Sequence, residues 1–189
     1  MISRTRNVGG VLPIKIVPIG NWLKAGLLVS DMRNLIAIGS MTGQRSAALK
    51  LKALVRKNLK GQGVPGMAPW PDLAPGYKKA KAKAGFSPDL KLIRTGLYYR
   101  SITTWTKGTK YYVGIKKGVR ASGKNSAGKT LGYIAHILER GSHSHSIKAR
   151  PLWVPTFKQF GGNKRIKNII VWHIARLIYL RHGVKVKVY

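Results

Sequence analysis

Residues 123–130, Gly-Lys-Asn-Ser-Ala-Gly-Lys-Thr, satisfy the phosphate-loop pattern G-x-x-x-x-G-K-[ST] in full. In that chemistry backbone amides cradle phosphates, the lysine (Lys129) reaches the terminal phosphates and the hydroxyl (Thr130) holds magnesium. The device also needs a buried strand feeding its first glycine and an aspartate on another apolar strand for the metal. Here residues 116–122, Lys-Lys-Gly-Val-Arg-Ala-Ser, are polar and glycine-broken, and the only acid after Thr130 is Glu139, within a predicted helix. The string therefore reads as a cationic loop of small residues, in which Gly123, Lys124, Gly128 and Lys129 are candidates for contact with a neighbouring molecule.

Other chemistry is thinly supplied. His143 and His145 stand one residue apart in Gly-Ser-His-Ser-His-Ser, a spacing that can present two imidazoles to a metal, but no cysteine or carboxylate accompanies them. Ser142, Ser144 and Ser146 lack an acid at the spacing of a triad. The chain holds 36 Lys and Arg against four acids, Asp31, Asp72, Asp89 and Glu139, for a net charge of +32. Hydrolytic and metal-dependent sites need converging carboxylates, so an enzyme starts from poor material, and no cofactor is expected. A surface this cationic must meet salt, nucleic acid, anionic lipid or an acidic protein. Basic residues run through every third of the chain, so the whole surface is positive rather than one tail.

The cysteine count is zero, which removes disulfides and thiolate chemistry without locating the protein. The first residues, Met-Ile-Ser-Arg-Thr-Arg, lack the apolar core of a secretory signal, and no stretch approaches the run of roughly 18 apolar residues that spans a membrane. No membrane partner is expected. Tyr98, Tyr99, Trp105, Tyr111 and Tyr112 interleave with Arg100, Lys107, Lys110 and Lys116, the mixture that stacks bases and neutralises phosphates, although ordinary strand packing produces it too.

The elements that position these residues follow from periodicity. Residues 11–19 alternate as a strand, with Pro13 and Pro18 confining it to an edge. Residues 21–60 turn helical, with Ala47, Leu51, Leu54, Val55 and Leu59 on a face expected to pack on a sheet and Gly61 as its cap. After an irregular Gly/Pro segment over 61–76, residues 77–84 suit a short basic helix. Residues 97–105 and 110–117 read as a hairpin turning at Gly108, and 130–140 as a helix. Residues 166–178 carry a helical apolar stripe ended by Gly183, and 184–189 alternate as a last strand.

Two stretches read together resemble a known family. Trp70-Pro-Asp-Leu73, the lysine-rich run, then Thr95-Gly96-Leu97 and Ser101-Ile102, are similar to the tail-completion, or virion morphogenesis, proteins of tailed phages. Tyr133 and Ala135 through Glu139 and Gly141 to Arg150-Pro151 resemble the signature of the related neck proteins. The likeness covers residues 65–156. A phenylalanine is usual in the family where Leu152 or Trp153 stands, and residues 118–129 look like an insertion. These residues suit a scaffold: Thr95-Gly96 turns the chain into the hairpin, Gly141 closes a helix, and Glu139 is expected to pair with Arg150.

The resemblance implies an α+β fold, a long N-terminal helix packed on an antiparallel β-sheet with an extended arm and loops. The expected organisation is an arm over 1–20, a tail-completion or neck-like domain over 21–160, and a C-terminal helix and strand over 161–189 belonging to the same domain. The implied function is structural and non-enzymatic. It is that of a subunit at the head-to-tail junction of a virion, assembled in the host cytoplasm as a six- or twelvefold homo-oligomeric ring. Its implied partners are connector or portal-side proteins, tail proteins and packaged DNA. The alternative is a basic nucleic-acid-binding protein of ribosomal-protein-like composition.

Overall fold

The computed structural model describes residues 22–92, 95–120, 128–144 and 146–186, with residues 22–28 and 30 described in backbone only. In chain order the elements are α1 (Trp22–Lys60), α2 (Pro75–Lys83), α3 (Leu97–Ser101), β1 (Ile102–Lys107), β2 (Lys110–Ile115), α4 (Leu131–Arg140), α5 (Trp153–Phe160) and α6 (Gly162–His182). The fold is α+β, with a long N-terminal helix and an antiparallel sheet of two strands, β1 paired with β2 from Ile102↔Ile115 to Lys107↔Lys110. The chain divides into two compact units. One comprises residues 48–162, the other residues 1–47 and 163–189.

In the unit over 48–162, the second half of α1 supplies Val55 and Leu59, which pack with Ile102 of β1, Tyr98 of α3, Ala135 of α4, Leu152, Val64 and Trp70. Full burial of Leu59, Ile102 and Leu152 contributes about 1.5–3 kcal/mol each. Of the expected apolar face of α1, Leu51, Val55 and Leu59 lie in this core, where they meet helices and loops as well as the hairpin, while Ala47 belongs to the other unit. A buried polar joint crosses this core. Asn58 donates to the Thr156 hydroxyl (2.9 Å) and to Gln159 Oε1 (2.7 Å), tying α1 to α5.

α1 ends at Lys60, with Gly61 just past it as expected, but Gly61 is not the left-handed residue of the cap. Gly61 continues the helical hydrogen bonding to Lys57, and the left-handed position is Gln62, at φ 58°. Gln62 N–H donates to Leu59 O and Gly63 N–H to Asn58 O, the paired bonds of a Schellman cap. Gln62 is held there by its own amide, which donates to Leu59 O and accepts from Lys91 N–H.

Two strand expectations are corrected. Residues 97–101 form the helical turn α3 instead of the start of β1, because Gly96, at φ 72°, begins it and Thr95 Oγ1 accepts from Leu97 N–H. Residues 184–186, the described part of the strand expected over 184–189, make no strand, and Val184 is buried beside Ile174 and Ile178. Gly108, at φ 59°, supplies the hairpin turn, and Gly183, at φ 67°, follows α6, both as expected. The strand expected over 11–19 and the arm over 1–20 lie outside the described residues, as do residues 187–189.

The other unit is a close crossing of two helices. Gly39 and Gly43 on α1 face Ile174 and Ile170 on α6 so tightly that a methyl group at Gly43 would lie 2.5 Å from Ile170 Cα. Carbon atoms prefer roughly 3.5–4.0 Å, so glycine is required. Ala47 extends this small-residue ridge by one turn. Met32, Leu35 and Ile36 pack on Ile174 and Ile178 alongside it, and Asp31 pairs with Arg181 at 3.4 Å. The crossing predicts that Gly43→Ala destabilises this unit by about 1–3 kcal/mol through forced separation of the helices. An Asn34→Ala control on the exposed side of α1 should stay within about 0.5 kcal/mol. Urea unfolding followed by circular dichroism measures both.

Candidate functional site

Of the residues singled out in the sequence, Trp70, Glu139, Arg150 and Pro151 come together along a seam where residues 70–72, Tyr98 of α3, the end of α4 and the start of α5 meet. Its geometry begins with Glu139. This carboxylate, in the last turn of α4, accepts three backbone N–H groups at the head of α5: Leu152 at 2.7 Å, Trp153 at 3.0 Å and Val154 at 3.0 Å. Leading N–H groups of a helix have no intrahelical acceptor, and the helix dipole places partial positive charge there, so an anion is doubly favoured.

The expected Glu139–Arg150 pair is therefore not made. Arg150 is buried and donates to backbone carbonyls instead, from Nε to Pro71 (3.2 Å), from Nη2 to Asp72 (3.1 Å) and from Nη1 to Lys148 (3.3 Å). The physical reason is competition. Leu152 is 1 % exposed, so its amide must find a partner inside the protein, and Glu139 is the acceptor within reach. Burial lowers the pKa of Arg150, opposed by the nearby Asp72.

Two indoles close the seam. Trp70 Nε1 donates to Pro151 O (3.0 Å) and Trp153 Nε1 to the Tyr98 hydroxyl (3.1 Å). Burial pushes the Tyr98 phenol up to about 12, helped by the Glu139 charge and opposed by the Trp153 bond. Gly141 ends α4 at φ 80°, and a methyl there would stand 2.8 Å from Ile147 O, so the expected helix-closing role holds. Lys91 donates to Trp70 O (2.6 Å) and pairs with Asp72 (3.2 Å), which also meets Lys78 (3.7 Å). These lysines hold the exposed Asp72 carboxyl below its ordinary range.

Ala135 and Tyr98 are buried, and Leu73, Leu97, Ser101 and Pro151 are half-buried. Tyr133 is exposed, with the Lys129 ammonium 5.8 Å from its ring. Arg100, in α3, donates back to Thr95 O. Sequence reasoning missed Asn58, Thr156 and Arg56. The Arg56 guanidinium lies over Tyr99 and donates to Ile102 O (2.9 Å), joining α1 to β1. A basic residue on a helix face otherwise reads as solvated.

The other candidate chemistry is dispersed. Thr130 caps α4, its hydroxyl accepting from Tyr133 N–H (3.3 Å), and Gly128 is left-handed at φ 81°. Gly123 and Lys124 lie outside the described residues. Leu131 N–H donates to Val119 O and Arg120 bridges Thr130, so the stem of this loop leaves from a turn after β2 rather than from a buried parallel strand. Ser142 and Ile147 exchange backbone hydrogen bonds around His143, while His145 lies outside the described residues. Among the described residues no three His, Asp or Glu side chains gather where an ion could be held, and no helix is long and apolar enough to cross a membrane.

The aromatic hairpin is sorted by its pleat. Trp105 and Tyr112, paired across the strands, stack at 5.7 Å on the face opposite Ile102, with Trp105 lying across Gly114. Such a pair stabilises an otherwise marginal two-stranded sheet. Lys107 and Lys110 face one another beside it at the turn.

Compared with known proteins, the chain matches no family model, no curated protein and no solved structure.

Two outcomes follow from the seam. Glu139→Ala strands three amides and should cost about 2–3 kcal/mol in urea unfolding, with Glu139→Gln, which keeps an acceptor, losing less. Tyr98 has a folded pKa above its unfolded value, so its contribution is complete below about pH 10 and is lost as pH rises towards 12. Stability measured across pH 9–12 should fall less steeply in Tyr98→Phe than in the parent, and absorbance at 295 nm should show one late-ionising tyrosine.

Proposed function

We propose that the protein is a non-catalytic structural subunit of a phage virion, placed at the head-to-tail junction as a neck or tail-completion protein. The observation that carries this reading is the convergence of its family-like residues. Along one seam Trp70 bonds the Pro151 carbonyl, Glu139 the leading amides of α5 and Arg150 the carbonyls of Pro71, Asp72 and Lys148, so these side chains are spent on backbone within the chain rather than on an open cleft. Residues used in this way brace a shape. A shape braced from within, bearing a net charge of +32, suits assembly against acidic neighbours.

The four carboxylates support the same reading. Asp31 holds Arg181, Asp72 holds Lys91 and Lys78, Asp89 also meets Lys78, and Glu139 holds the head of α5. Each is engaged within the chain, so the excess cations can be neutralised only from outside. In the proposed setting the neighbours are connector and tail subunits, with packaged DNA as a further anion, and the subunit works as a ring of six or twelve copies. Lys129 and the loop it ends are the proposed contact with a neighbour. One observation favours the second reading, a nucleic-acid-binding protein: Trp105 stacked on Tyr112 beside Lys107 and Lys110 is an aromatic and basic surface of the kind that bases can meet.

Particle sizing and electron microscopy of the purified protein, in salt that screens non-specific association, should show closed rings. Mixing with tailless heads or headless tails should place it at the junction. A persistent monomer with no affinity for either phage part, and with a preference for one nucleic-acid sequence over bulk, would replace this reading with the second.

A further inference from the structure

Helix α6 is apolar on two sides. One side, centred on Ile174 and Ile178, is buried on α1. The other carries Trp172, Tyr179 and Leu180, which are 54%, 50% and 67% exposed, with Arg176 among them. The spacing i, i+4, i+7 and i+8 puts all four on one stripe, roughly 12 Å long at 1.5 Å per residue. Large side chains held this far into water on a helix otherwise buried through its opposite face mark a contact surface.

The stripe is pre-ordered. The Arg176 guanidinium lies 5.3 Å from the centre of the Trp172 ring, and His173 meets that ring edge-on at 4.9 Å. Trp, Tyr and Arg are the residues that dominate binding energy at protein interfaces, and an anchor already held in place loses little freedom on binding.

Charge selects the occupant. α6 contains no acid, and Lys164, Arg165 and Lys167 extend the exposed basic surface towards its N-terminal end. A second copy of the chain would set like charges against like, with all four of its carboxylates already engaged. A nucleic acid would satisfy the cations but would leave Leu180 uncovered and would find the Trp172 face occupied by Arg176. We propose that the outer face of α6 is a docking surface for an acidic amphipathic helix of a partner protein, one whose apolar ridge covers Trp172, Tyr179 and Leu180 while flanking carboxylates meet Arg176 and Arg165. This holds for any acidic partner and does not rest on the virion assignment.

The test uses the full chain and a labelled synthetic peptide with leucines at i, i+3, i+4 and i+7 flanked by glutamates. A scrambled peptide of the same composition, a duplex oligonucleotide and phosphatidylglycerol vesicles serve as comparators. Fluorescence anisotropy should show the patterned peptide binding about tenfold tighter than the scrambled one. The double variant Trp172→Ala/Tyr179→Ala should abolish that preference without changing the weaker binding of the scrambled peptide. Hydrogen exchange on the unaltered protein provides a readout independent of whether the variant folds: the patterned peptide should protect 169–182 and the scrambled one should not. Equal binding of the two peptides, protection confined elsewhere, or a variant defect seen only with vesicles or only with the oligonucleotide would overturn the proposal.

Discussion

A single carboxylate at the head of a short helix holds the larger unit together. Glu139 accepts from three successive amides of α5, which fixes where that helix begins. Its position then sets Leu152 into the core, aims the Trp153 indole at Tyr98, and leaves the preceding Pro151 carbonyl to accept from Trp70. The seam is ordered by hydrogen bonds whose geometry admits little slack, in a region where conformational entropy favours many alternative paths for an irregular chain.

That dependence follows from composition. A protein with four acids cannot distribute charge pairs freely, and here each acid has a separate structural post: a helix head, a clasp on an extended segment, a shared lysine and a helix crossing. Cations, being abundant, are held in other ways. Arg150 and Lys91 donate to carbonyls, and Arg56 and Lys60 lie over the Tyr99 ring. Guanidinium groups suit this, because their planar fork can serve several acceptors while remaining charged.

Much of the fold was legible in the sequence, because periodicity reports burial. The long helix, the hairpin turn at Gly108, the helix after Thr130 and the stripe on α6 all follow from the spacing of apolar residues and from glycine. The errors fall where local preference competes with a tertiary partner. Leu97–Ser101 is rich in strand-forming aromatics, yet Gly96 and the burial of Tyr98 commit it to a helical turn. Gly61 stands at the helix end as its letter suggests, but the left-handed turn falls on Gln62, whose amide bonds both the helix end and Lys91. The seam was partly legible, since Glu139, Arg150 and Trp70 stood out, but the partner of each did not. A backbone amide or carbonyl has no letter in a sequence, so the obvious opposite charges were paired on paper where the fold pairs each with the main chain. Asn58 and Thr156, 98 positions apart, carried no signal beyond being polar on otherwise apolar faces.

An arginine satisfied by carbonyls has a particular consequence for how the chain can vary. Every residue type offers the same carbonyl, so Pro71, Asp72 and Lys148 can change identity without depriving Arg150 of an acceptor, provided the backbone keeps its course. Arg150 itself has no equivalent, as no other side chain carries that fork. In relatives of this protein the position should stand constant beside neighbours that drift, with no second site changing in step, and a search for paired substitutions would pass over the contact altogether.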